Sequence, residues 1–146
     1  MNTSRRTPPI FTAVHIVCAI LFGAFAWLQR NDIDPEIYYK SSSLDATLWF
    51  VFYLLIAVLF VIAIFRPLPR WLLIVSILAC LVEMVMTGPG LVENLFGDRE
   101  FTMTQVSMSA EDPRVELSRE FFGAVIAFAG VLFLFLRNEK TSSKQG

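Results

Sequence analysis

Four apolar stretches, each almost free of charge, dominate this chain and leave few folds open to it. They run from Ile10 to Gln29, from Ala46 to Phe65, from Trp71 to Gly88 and from Phe121 to Leu136. The last extends backward through Leu117 and Val115 to Pro113, giving a segment of about 113–137. A hydrocarbon layer of ~30 Å is crossed by a helix of roughly 17–25 residues, and lipid offers exposed backbone groups no hydrogen-bond partner. Each run is therefore read as a spanning helix, at about 10–29, 46–65, 71–88 and 113–137. Together they make an all-α four-transmembrane-helix bundle, a single integral membrane domain over 1–146. Hydrophobic residues at 55 % and charged residues at 17 % set the chain apart from a soluble enzyme, a disordered chain or a disulfide scaffold. With a net charge of −1 there is no basic excess for nucleic acid.

The charges between the runs predict orientation. The N-terminus, the short loop after the second run and the C-terminus carry Arg5, Arg6, Arg66, Arg70, Arg137, Lys140 and Lys144, with Glu139 as their only acid. The other two loops are longer and hold most of the acids. Cytoplasmic flanks are enriched in Lys and Arg, so both termini are expected in the cytoplasm and the acidic loops outside, in a bacterial inner (plasma) membrane. Ala24-Phe25-Ala26 resembles a signal-peptidase site, but the first run is longer than the 7–15-residue core of a signal peptide.

The loops have their own grammar. Arg66-Pro67-Leu68-Pro69-Arg70 stops one helix sharply and starts the next, predicting that the second and third helices form an antiparallel hairpin. Ser41 to Ser43 reads as a cap for the second helix, and Asp112-Pro113 as cap and first position of the fourth. Tyr38 and Tyr39 suit the membrane interface. The acidic turn Asp32, Asp34, Glu36 lacks the spacing of a calcium loop and is read as a solvated, capped turn. The outer loop 89–112 is long. Within it, Leu91 to Phe96 is expected as a short interfacial helix, and the alternating Phe101 to Met108 as a half-buried strand or lid.

Candidate chemistry is concentrated near the outer ends. Ser76, Cys80, Glu83 and Thr87 share a face of the third helix. Glu116, Arg119, Glu120, Gly123, Ala127 and Gly130 share one of the fourth, where the small residues Gly123, Ala127 and Gly130 permit close helix packing. A carboxylate inside a span is a site hypothesis with a named partner; the partner expected for Glu83 is Arg119. The predicted outward polar cluster is Gln29, Asn31, Asp32, Glu83, Arg119 and Glu120, and a structural ion pair is the competing reading. His15 is read as a packed histidine, and Cys18 and Cys80 as small buried hydrophobes. Phosphate loops, nucleophile elbows and zinc spacings are missing from the sequence, so no metal, cofactor or catalytic residue is assigned.

Two segments resemble a known family. Gln29-Arg30-Asn31-Asp32-Ile33-Asp34 is similar to the Q-x-N-D-P-D segment of the transmembrane protein 220 family, with Ile33 where that family usually has proline. Arg119-Glu120-Phe121-Phe122-Gly123 is similar to its R-E-x-x-G segment. The resemblance implies a small four-helix membrane protein without an established activity. It singles out Gln29, Asn31, Asp32, Arg119 and Glu120, the same outer ends that the charge pattern marks. The leading expectation is a non-enzymatic accessory or scaffold subunit of a membrane complex, embedded in the lipid bilayer, docking a membrane protein partner through the outer loop 89–112 and binding no nucleic acid. The alternative is a binder or transporter of a small polar ligand or cation. A membrane enzyme with Glu83 or Glu120 as general base is a third reading.

Overall fold

The computed structural model describes residues 8–30, 32–39 and 42–142. Four helices follow in order: α1 (Pro9–Gln29), α2 (Ser43–Phe65), α3 (Arg70–Phe96) and α4 (Arg114–Ser142). All four contain a window long and apolar enough to cross a membrane, and no strand occurs among the described residues. Most of the large apolar side chains on α1, α2 and α3 point outward, as expected where the solvent is lipid.

The caps are local and legible. Ser42 accepts a hydrogen bond from the Asp45 amide at 3.0 Å, closing the first turn of α2, and Pro9 opens α1 where a missing N–H costs nothing. Helix α4 begins at Arg114, one residue later than expected, and the Pro113 carbonyl accepts from the Leu117 amide. The Asp112 carboxylate accepts from the guanidinium groups of Arg99 and of Arg114, the first residue of α4.

The closely packed pairs are α1 with α2 and α3 with α4. The expected α2–α3 hairpin is not a tight pair, although the prolines do make the abrupt turn. Side-chain size explains this. On α3 and α4 the backbones approach at glycine, since a Cβ at Gly90 would collide with the side chain of Leu117. On α1 and α2 aromatic rings interleave instead: Phe22 stacks on Phe60 at 5.8 Å, and Phe25 meets Tyr53 edge-on at 5.3 Å. The two pairs then join through α4. Its Gly123 leaves room for the Tyr53 hydroxyl, and its Gly130 for the rings of Phe22 and Phe60, where a Cβ would sit 3.2–3.3 Å away. Ala127 and Val131 are fully buried in the same core.

The third helix departs most from expectation. It continues through Pro89 to Phe96, absorbing the separate interfacial helix expected at 91–96. A proline inside a helix forfeits a backbone hydrogen bond and costs ~3 kcal/mol. Contacts beyond it offset that cost: Gly90 lies against Leu117, and Asn94, fully buried, bonds the carbonyl of Thr102 and the hydroxyl of Ser118. The true loop is therefore 97–113. Phe101 to Met108 is not a strand but extended chain with a single 3-10 turn, Gln105–Ser107.

Candidate functional site

At the end of the bundle where the two longer loops lie, a cavity of about 290 Å³ opens between α1, α4 and those loops. Its position follows from three local events. Helix α1 ends at Gln29, and the chain turns through Asp34, whose carboxylate accepts from the Glu36 amide at 3.0 Å while its carbonyl accepts from Tyr38 at 2.9 Å. This is the capped turn that the sequence implies; it leaves Asp34 and Glu36 exposed and sends Tyr38 inward. Next, Glu116 on α4, only 6 % exposed, accepts from the Tyr39 amide at 2.6 Å and holds that turn over the helix. Finally, the Ala110 amide donates to the Glu36 carbonyl at 3.2 Å, tying the two loops together.

Four of the six predicted residues line the cavity: Gln29, Asp32, Arg119 and Glu120. Asn31 lies outside the described residues. Glu83 is half-buried on α3 but does not line the cavity, and no Glu83–Arg119 ion pair forms among the described residues. The reason is depth: Gly90 lies against Leu117 across the antiparallel pair, so Arg119 stands more than one helical turn outward of Glu83. Arg119 points up toward the loop, with Nη1 3.5 Å from the Met108 sulfur and Asp32 and Tyr38 in its field. Glu83 instead feels Asp45, and lies within electrostatic reach of Tyr53 and Glu120. The other polar side chains of its helix face are spent locally: Ser76 and Thr87 donate to carbonyls four residues back, at 2.8 and 2.7 Å.

Sequence reasoning missed Tyr38, Tyr53, Glu116, Met103 and Met108, all of which line the cavity. Glu116 had a signal, standing one helical turn before Glu120 on the same face. The methionines had a weaker one, since both belong to the alternating stretch 101–108. Tyr53 had none, being one aromatic among many on α2.

Electrostatics set the character of the site. Asp32, Asp45, Glu83 and Glu116 all act on Glu120, so acids from every helix end converge here, with Arg119 the one cation lining the cavity among the described residues. Burial pushes the Asp32 carboxyl above its usual range, and the Tyr38 hydroxyl and Arg119 pull it only part of the way back. Burial and the neighbouring Asp32 push the Tyr38 hydroxyl up to about 12, so it remains a neutral donor. Phe25, Tyr38, Tyr53 and Phe122 supply aromatic walls. No group of three or more His, Cys, Asp or Glu suited to a metal ion occurs among the described residues.

Neither a curated protein nor a solved structure matches the chain. The model of transmembrane family 220 does, over residues 21–136, a stretch running from within α1 to near the end of α4 and enclosing the whole cavity. This four-helix, multi-pass membrane protein belongs to transmembrane family 220.

Proposed function

We propose that the cavity between α1, α4 and the two longer loops binds a small ligand carrying an ammonium group. One observation carries this reading: a preformed space of about 290 Å³ in which, among the described residues, Asp32, Glu116 and Glu120 outnumber the guanidinium of Arg119 among aromatic walls. Carboxylates held away from water are costly without a partner charge. An organic cation supplies that charge and is also attracted to the faces of Tyr38, Tyr53 and Phe25. Arg119 then serves a carbonyl or carboxylate on the same ligand, which favours a zwitterion over a bare metal ion. The Lys and Arg bias of the opposite end supports an outward opening.

The test uses the full chain in mild detergent, with glycine betaine and choline as probes. Thermal stabilisation by either is expected, together with its loss in Glu120→Gln. If neither probe shifts the melting curve, and native mass spectrometry of protein from its own membrane finds no retained small mass, the reading fails.

The exposed apolar residues of loop 97–113 favour a second reading, an accessory subunit. Val106 is 97 % exposed and Phe101 52 % exposed, more than a solvated loop tip warrants. Stoichiometric protein partners in the same mass spectra, lost on deletion of 101–108, would support it.

A further inference from the structure

Helices α1 and α4 meet in one half of the bundle and part in the other. Where they meet, the rings of His15 and Phe133 pack edge-on at 6.0 Å, and Gly130 lies against the ring of Phe22. About one helical turn beyond Phe22 and Gly130, at Phe25 and Ile126, the acidic cavity begins between them. From Ile126 to Glu116 it follows α4 for about 15 Å, at a rise of 1.5 Å per residue.

The walls of this cavity are of two kinds. Tyr53, Glu116 and Gly123 are buried and form its back. Leu28, Phe122 and Ile126 line the same space yet are 64, 42 and 42 % exposed. A side chain that both lines a cavity and faces outward stands at its mouth. These three belong to the spanning segments of α1 and α4, where the surrounding medium is lipid. The cavity thus opens sideways into the bilayer, between the two helices.

Polarity changes along its length. The deep half is walled by Phe25, Leu28, Phe122 and Ile126, and the half under the loops carries the carboxylates. Arg119 is exposed at the polar rim, and its flat guanidinium matches phosphate oxygens. A small water-soluble zwitterion would fill only the polar half. An amphiphile fills both, burying apolar chain where the wall is apolar.

We propose that the ligand is an ammonium-bearing phospholipid of the phosphatidylethanolamine type, which enters sideways between α1 and α4. Its ammonium lies at Asp32 and Glu120, its phosphate at Arg119, and one acyl chain along Leu28, Phe122 and Ile126. This inference rests on the ammonium reading of the cavity and adds the class of molecule.

The experiment offers the full chain, in a neutral detergent, equal amounts of phosphatidylethanolamine and phosphatidylglycerol with the same acyl chains. Native mass spectrometry reads which lipid is retained. A preference of at least tenfold for phosphatidylethanolamine is expected. It should be lost in Glu120→Gln, and retention of either lipid should fall in Ile126→Trp, which fills the mouth from a lipid-facing position. The melting temperature of Ile126→Trp without added lipid separates lost binding from lost folding, and Leu28→Trp closes the same mouth from α1. Glycerophosphoethanolamine, the headgroup without chains, distinguishes this inference from the reading beneath it. If it stabilises the protein as much as the lipid does at equal concentration, the acyl chain contributes nothing and the inference is overturned while the ammonium reading stands. If glycine betaine, choline and phosphatidylethanolamine all fail to bind, both are overturned. Equal retention of the two lipids by the wild type, or a preference and retention that every variant keeps, would mean lipid acting only as solvent and would also overturn it.

Discussion

Arg114 donates from Nη1 to the side-chain oxygen of Asn94 at 2.6 Å, joining the last turns of α3 to the first turn of α4. The same guanidinium reaches the Glu100 carbonyl at 2.9 Å and Asp112 at 2.9 Å, and Asn94 answers with Thr102 and Ser118. This buried knot holds loop 97–113 in place and fixes the roof of the acidic cavity, to which Met103 and Met108 contribute.

Asn94→Ala should therefore destabilise the protein by roughly 2–3 kcal/mol, because it leaves the buried partners of Asn94 unpaired. Thermal or denaturant unfolding in detergent measures this. An effect within ~0.5 kcal/mol of zero would show that the knot contributes little.

Gly123→Ala should destabilise by about 1–3 kcal/mol, the range for overpacking a filled core, since its Cβ would collide with the Tyr53 hydroxyl. Tyr53→Phe removes that oxygen. The double variant should recover much of the loss, a coupling that a double-mutant cycle reads directly. Additive effects would place the strain elsewhere.

Asp32 and Asp112 should have opposite effects on stability. Burial raises the Asp112 carboxyl, but hydrogen bonds from Arg114 and Arg99 outweigh it and hold the group below its ordinary value. Its contribution is thus present above the unfolded value of about 3.9 and is lost as the pH falls through the lower folded value. Asp32 is raised by burial, so its ionised form weakens the fold and the penalty appears as the pH rises. At pH 7, Asp112→Asn should lower the melting temperature and Asp32→Asn should raise it. Both gaps should close as the pH drops below about 4. Melting curves across pH, with each variant beside the wild type, test both signs.

Orientation can be tested by labelling. With Cys18 and Cys80 replaced by alanine, Ser43→Cys and Gln105→Cys should react with an impermeant thiol reagent from outside the cell. Pro67→Cys should react only after the membrane is opened. The reverse pattern would turn the acidic cavity toward the cytoplasm.

The four spans were legible in the sequence because membrane insertion depends on local composition: about 20 residues without charge can satisfy their backbone only as a helix. The Ser42 cap, the sharp turn at Pro67 and Pro69, and the placement of Gln29, Asp32, Arg119 and Glu120 at one end follow from the same local rules. Tertiary structure decided everything that depends on rotation and depth. Glu83 and Arg119 lie on neighbouring helices, yet at different depths and facing different neighbours. That register is set by Gly90 packing on Leu117, a contact between distant parts of the chain. Pro89 reads as a helix stop, and only burial of Asn94 against α4 carries the helix past it. Local propensity is a property of a segment, whereas a site is a property of which faces meet.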